Sequence, residues 1–427
     1  MSDPVSPVVS ILTLGCKLNL ADSEAMARDF RAAGWTVVDK PADTDAVIVN
    51  TCSVTHVADR KSRHVVRLAR RLAPNATLSV TGCLLETAPA GILDALAADR
   101  VVRQPDQSSL VRELVARWPR LADDAPVLRG GLKTRSFVSA QEGCNDVCAF
   151  CIVPKTRGRE RSRSIAAVVA EVNARVADGV REVVITGTQL GAYGRDSGEG
   201  GPAALLGALL AETDATRIRM SSLQPQDITP ALVRLWEDPR LCRHLHLALQ
   251  SGSETVLRRM RRRYTADQYR EAVDCLRASI PGVAITTDVI AGFPGETDAE
   301  FEETYAFCDE MAFQDMHVFP YSVRSGTVAA KMTGQVADAT KQARVRRLID
   351  LAAAMTRASN QRQLGRTAAV LWEQARSDAA GSIWEGRTDD YLRVALRSEA
   401  DLRNRITSVR LTALREDGVW SSEEVDG

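Results

Sequence analysis

Aromatic residues are scarce in this chain, only 5% of 427, so aliphatic side chains and alanine must fill its cores. Net charge is lacking as well. The 55 basic residues balance 55 acidic ones, so only local clusters, and not a global field, can point to a charged partner. No apolar run is long enough to span a bilayer, and no membrane partner is expected. The stretch MSDPVSPVVSILTLG has neither a basic n-region nor a signal h-region, and a cytoplasmic location is expected. A disulfide framework is excluded on similar grounds. Nine cysteines, an odd number in a long chain without a signal, argue for reduced thiols, some of them on metal. What is present, 45% hydrophobic and 26% charged residues, is ordinary for a globular protein, and the length suggests about three domains.

The pattern divides into three zones. From residue 8 to about 125, strand-like runs such as VVSILTLG, DAVIVNT and ATLSVTG alternate with helical ones such as LADSEAMARDFRAAG. That alternation predicts an α/β domain with a doubly wound parallel sheet. Ala122–Thr134, ADDAPVLRGGLKT, has a linker's composition. A second alternation runs from SFVSA to DMHVFPY in six strand–helix units, which predicts an open or partial (β/α) barrel. A helical stretch over about 338–364 leads to TAAVLWEQ, GSIWEGRTDDYLRVAL and RITSVRLTAL, a small all-β module with an acidic tail. The expected domains are 1–125, 134–355 and 356–427.

The segment EGCNDVCAFCIVP sets Cys144, Cys148 and Cys151 in a loop just after a predicted strand. Structural zinc wants a fourth tetrahedral ligand. The next histidine is His244, and no fourth cysteine lies nearby. Three thiolates suit a four-iron cluster whose open iron can bind a substrate or cofactor. A second set is dispersed. Cys16 ends TLGC, Cys52 ends VNTC and Cys83 ends VTGC, each after the carboxyl end of a predicted parallel strand. Open α/β sheets bind ligands at that edge, so these thiols can converge and carry a second cluster. The alternative is zinc with His56 as fourth ligand, although His56 reads more simply as a surface residue at a helix start.

The spacing of the loop cysteines resembles that of the radical S-adenosylmethionine enzymes, over the whole middle zone. In that family the open iron holds the amino and carboxylate groups of the cofactor's methionine moiety, and one electron releases a 5′-deoxyadenosyl radical. TGTQLGAYG, with Gly187, resembles the family's segment at the methionine amino group. LALQSGS, with Gln250, Ser251 and Gly252, resembles that near the ribose. VIAGFPGET, with Ile290 and Gly292, resembles that bordering adenine, and Phe150 the aromatic beside it. With LGCKLNLADSE, VNTCSVT, VTGC, CAFCIVPKTRGRERSRS and SSLQP, nearly the whole chain is similar to the methylthiotransferases, and the terminal module looks like their TRAM domain.

The resemblance implies a transferase with two 4Fe-4S clusters, S-adenosylmethionine, and an electron donor such as flavodoxin or ferredoxin. One cofactor molecule would methylate sulfur held at the N-domain cluster, and a second would supply the radical that opens an unactivated C–H bond. The sulfur source is not implied. LGCKLN, NTCSVTHVADRKSR and HLHLALQSG look like the branch acting on N6-threonylcarbamoyladenosine beside the tRNA anticodon, at position 37. Isopentenyladenosine in tRNA and an aspartate of a ribosomal protein are the alternatives within the family. Outside it stands an iron–sulfur or zinc RNA-binding protein without catalysis, which would need no cofactor pocket.

Local charge is consistent with RNA. Lys155, Arg157, Arg159 and Arg163 follow the cysteine loop and are expected to meet tRNA phosphates. RRMRRR, Arg258–Arg263, and RKSRHVVRLARR are expected to be solvated helix faces. Cys242, Cys275 and Cys308 are expected to pack, and Asn19 to cap a helix. His244 and His246 alternate on a strand that should present one face to the site.

Overall fold

A computed structural model describes residues 6–118, 134–378 and 381–425. All of the expected linker except Thr134 lies outside the described residues. Strands β1 (Val8–Thr13), β2 (Thr36–Val38), β3 (Ala46–Thr51), β4 (Thr77–Gly82) and β5 (Arg100–Val101) form a parallel sheet in the order β2-β1-β3-β4-β5. β3 and β4 are buried at every position, as strands covered on both faces must be. Phe30 of helix α1 (Lys17–Ala32) packs with Val9, Trp35 and Ile48 on one face. Val66 of helix α2 (His56–Leu72) packs with Val47 and Leu78 on the other. The strand order reverses between β1 and β3, which opens a crevice at their carboxyl ends.

The next strands are β6 (Arg135–Glu142), β7 (Arg161–Ser162), β8 (Glu182–Gly187), β9 (Arg217–Met220), β10 (Ser222–Leu223), β11 (His244–Leu247), β12 (Ala284–Ala291) and β13 (Asp315–Pro320). They pair as β7-β6-β8-β9 and β10-β11-β12-β13. Only Ser221 separates β9 from β10, so the two sheets continue into one curved arch, parallel throughout except at β7. Helices cover its outer face. Two of them, Ala266–Ser279 and Asp298–Met311, start at capping boxes, Thr265 with Gln268 and Thr297 with Glu300. Edge strand β13 leaves Asp315, His317 and Phe319 exposed in alternation, so this side of the arch is open.

A helix over Asp338–Gln361 leads to a closed barrel of β14 (Thr367–Asp378), β15 (Gly381–Thr388), β16 (Arg393–Arg397), β17 (Ile406–Leu414) and β18 (Trp420–Glu424). Trp372, Trp384 and Trp420 supply much of its core. The turn after β15 docks under the amino ends of the arch strands. Arg219 donates to the Asp389 carbonyl at 2.8 Å, Arg217 to the Ala369 carbonyl at 2.9 Å, and Arg243 pairs with Asp389 at 2.6 Å.

Candidate active site

Cys144, Cys148 and Cys151 are half-buried between the end of β6 and a short helix over Val153–Thr156. Burial pushes the Cys144 thiol up to about 12 and Cys151 to about 11. A bound metal inverts that preference and holds thiols as thiolates. The loop is tied down from several sides. Gln141 donates to the carbonyls of Glu142 at 2.9 Å and Gly143 at 2.8 Å, and accepts from the Gln189 amide at 2.9 Å. Arg262 donates to Cys148 Sγ at 3.2 Å, and Arg263 pairs with Asp146 at 3.0 Å. RRMRRR is therefore not simply a solvated face. The Ala149 amide bonds to the Met260 carbonyl at 2.9 Å, which brings the end of that segment onto the loop.

The dispersed cysteines follow β1, β3 and β4, with Cys52 and Cys83 buried and Cys16 exposed. Gly15 and Gly82, each just before a cysteine, sit at φ +107° and +98°, conformations that favour glycine. A Cβ on Gly15 would lie 2.9 Å from Cys52 Sγ, so the first two turns meet closely. Burial raises Cys52 to about 11, helped by the nearby thiols of Cys83 and Cys16. A single zinc ion would hold its sulfurs about 3.8 Å apart, given tetrahedral angles and usual bond lengths. Among the described residues, the one set of three metal-ligating side chains with all ligand atoms within 4.8 Å is His246, Asp288 and His317. Neither cysteine triad forms such a set among the described residues. His56 opens α2, is exposed, and uses its amide on Ser322 Oγ at 3.2 Å.

Arg157 requires a correction. It was expected on the tRNA surface, but its side chain is only 3% exposed and pairs with Asp22 at 2.9 Å and Glu142 at 2.7 Å. It also donates to Asn19 Oδ1 at 2.6 Å and to the Cys83 thiol. A charge so placed is held by its counter-charges and is out of reach of phosphate. Asn19 is no helix cap. Cys16 takes the cap position of α1, and buried Asn19 donates to the carbonyls of Leu14 at 2.8 Å and Thr51 at 2.9 Å, tying the ends of β1 and β3 together. Lys155 and Arg159 are exposed, whereas Arg163 is half-buried and pairs with Glu171 at 2.6 Å.

Above the arch strands, Phe150 meets Phe293 edge-on at 6.5 Å, and Phe293 meets Tyr321 at 5.5 Å. Gln250 adopts φ +68°; its amide donates to the Asp288 carbonyl at 2.8 Å and its carbonyl accepts from Ile290 at 2.9 Å. Three expected contacts turn towards protein. Ser251 bonds to Thr304 at 2.9 Å, while Gly252 and Gly292 lie so close to Phe307 and Lys341 that a Cβ would collide. These residues shape the strand ends by close packing. A Cβ on Gly187 would lie 3.1 Å from the Gln141 carbonyl oxygen, a tight fit without collision, and Ile290 keeps accessible surface beside Phe319. Two buried polar atoms here, Gln189 Nε2 and the Tyr321 hydroxyl, lack a protein partner among the described residues. A polar cofactor would satisfy them.

Deeper in the arch, Asp288 Oδ1 bonds to His246 Nε2 at 3.1 Å and His317 Nδ1 at 3.3 Å. Burial pushes the Asp288 carboxyl up, but the two histidine hydrogen bonds outweigh it and hold it well below the usual range. His244 bonds to Thr286 at 3.1 Å. Cys242 and Cys308 are buried and Cys275 packs on the core, as expected. No local pattern marked Arg262 or Asp288, whose partners Cys148, His246 and His317 lie far off in the chain.

The chain matches the Radical SAM superfamily over residues 138–308 and the Uncharacterized protein family UPF0004 over residues 8–103. The threonylcarbamoyladenosine tRNA methylthiotransferase MtaB of Bacillus subtilis is 36% identical, over 94% of this chain and 93% of its own. A tRNA-2-methylthio-N(6)-dimethylallyladenosine synthase of Frankia casuarinae is 37% identical, over 91% of this chain and 76% of its own. Among solved structures, the radical S-adenosylmethionine methyltransferase TsrM of Kitasatospora setae shares the fold at TM-score 0.55 and 15% identity, covering 76% of this chain and 77% of its own. Fold and thiol loop thus define a radical S-adenosylmethionine enzyme, one that uses that cofactor and a 4Fe-4S cluster. More narrowly, the chain belongs to the tRNA methylthiotransferases of this superfamily. No described helix is long and apolar enough to cross a membrane.

Proposed function

We propose that this enzyme converts N6-threonylcarbamoyladenosine beside the tRNA anticodon to its 2-methylthio derivative, using two 4Fe-4S clusters. The observation that carries the two-cluster reading is the second cysteine triad. It gathers at the switch point of the first sheet and is joined through Arg157 to Glu142, at the root of the first triad's loop.

Cys144, Cys148 and Cys151 would hold one cluster, with S-adenosylmethionine at its open iron. Cys16, Cys52 and Cys83 would hold the other. When bound, the first cluster and the cofactor supply one-electron bond cleavage and a radical able to take hydrogen from an aromatic C–H. The protein's share is placement. Gln141 and Arg262 fix the thiol loop, Phe150 and Ile290 border the cofactor, and exposed Lys155 and Arg159 would meet RNA phosphates. In this reading residues 1–125 handle sulfur, 134–355 generate the radical, and 356–427 hold tRNA. A soluble electron donor such as flavodoxin or ferredoxin in the cytoplasm would complete the system.

The test uses anaerobically reconstituted protein, for which about eight irons per chain are expected. Replacing Cys144, Cys148 and Cys151 by alanine should remove half the iron and abolish 5′-deoxyadenosine formation. Replacing Cys16, Cys52 and Cys83 should also remove half, yet leave 5′-deoxyadenosine formation and stop methylthiolation. If the second variant keeps its full iron, the N-domain cysteines hold no cluster.

A further inference from the structure

Beneath the cofactor residues lies a polar chamber with a charge imbalance. Side chains on one face of a strand recur every second residue, about 7 Å apart. On β12, Asp288 lies one such step below Ile290. On β13, His317 lies one step below Phe319, and each pair is in register across the two strands. Lower still, His244 stacks on Tyr391 of the terminal barrel, with centroids 4.6 Å apart and planes at 19°.

Cations surround Tyr391. The guanidinium carbons of Arg387, Arg219 and Arg135 lie 4.5, 4.8 and 5.9 Å from its ring centroid. Lys17 reaches in from the first turn of α1, near enough for Tyr391, Arg219, Asp288 and Arg135 to act on its charge. Carboxylates answer only some of these. Glu182 takes Arg219 at 2.7 Å, Glu373 takes Arg135, and the histidines engage Asp288. Among the described residues no carboxylate pairs with Lys17 or Arg387. Both keep some accessible surface, as do Tyr391, Asp288 and His317. The chamber's walls come from all three parts of the chain.

We propose that this chamber binds the carboxylate of the substrate's N6 substituent between Lys17 and Arg387, and so selects the threonylcarbamoyl group. The proposal rests on the substrate reading above and gives it a physical basis. A threonylcarbamoyl group carries a carboxylate that matches the two unanswered cations. An isopentenyl group carries no charge and would cover them without replacing their water. Charge-assisted hydrogen bonds in such a site discriminate by about tenfold or more.

The experiment compares three anticodon stem-loop RNAs on the full-length reconstituted protein. One carries threonylcarbamoyladenosine, one its carboxyl methyl ester, one isopentenyladenosine. Titrations should show the acid bound about tenfold or more tighter than the ester. R387Q and K17Q should each erase most of that preference, whereas R387K should keep much of it. Iron content and melting temperature show whether each variant is folded. The chamber assignment is overturned if acid and ester bind alike, or if both glutamine variants weaken all three RNAs equally, as lost phosphate contacts would. Nucleoside mass spectrometry on the same wild-type samples separates the two levels. Methylthiolated threonylcarbamoyladenosine without an acid preference leaves the substrate reading standing and removes the chamber. Methylthiolated isopentenyladenosine alone removes both.

Discussion

A guanidinium enclosed by carboxylates is most costly to lose when its partners stay behind. Arg157 is such a residue, and R157Q would leave Asp22 without its cation and Glu142 with Arg161 alone. We expect a loss of about 3–5 kcal/mol, read as a lower urea midpoint with unchanged slope. The dependence of tRNA affinity on salt should stay as it is. K155Q combined with R159Q should do the reverse, lowering that slope by roughly 0.7–0.9 for each lost phosphate contact with little effect on stability. A flattened salt slope in R157Q would show that the side chain reaches RNA after all. The contrast also shows what a sequence reveals at this scale. Cys144, Cys148 and Cys151 were legible because their meaning lies in local spacing. Arg157 was not, because Asp22, 135 positions away, decides where it points.

Elements carry the next layer. Alternating apolar runs announced the parallel strands, and the position of each cysteine at a strand end announced where three thiols would gather. The turn just before Cys83 tests whether that gathering depends on backbone geometry. A Cβ on Gly82 would lie 2.4 Å from the Thr51 carbonyl oxygen, at a φ of +98°. G82A should therefore displace Cys83, lower iron by about half, and spare 5′-deoxyadenosine formation at the barrel loop. Full iron content in G82A would mean that the turn can relax without moving the thiol. Less was legible where elements are short or start abruptly. β7 and β10 span two residues each, too few for any periodicity. α1 starts directly after Cys16, and Asn19, a good cap by composition, is drawn instead into the strand-end carbonyls.

At the scale of the whole molecule, the three parts are locked by pairs that no local pattern foretold. Arg324 joins Asp59 at 2.7 Å, Arg28 joins Glu171 at 2.8 Å, and Glu24 accepts from Ser136 Oγ at 2.6 Å, each linking the first sheet's helices to the arch. Arg243 and Asp389 fasten the terminal barrel beneath it. Motifs were enough to name the parts, but only the folded chain brings Lys17, Asp288 and Arg387 to one chamber. In the proposed reaction this assembly places a methylthio group on threonylcarbamoyladenosine. That reaction is tested most directly by incubating reconstituted protein with S-adenosylmethionine, a reductant and tRNA carrying that nucleoside, then digesting the tRNA for mass spectrometry. The expected result is 2-methylthio-threonylcarbamoyladenosine, formed by the wild type and by neither cysteine-triad variant. Its absence from the wild-type digest while 5′-deoxyadenosine accumulates would mean that the enzyme acts on another substrate.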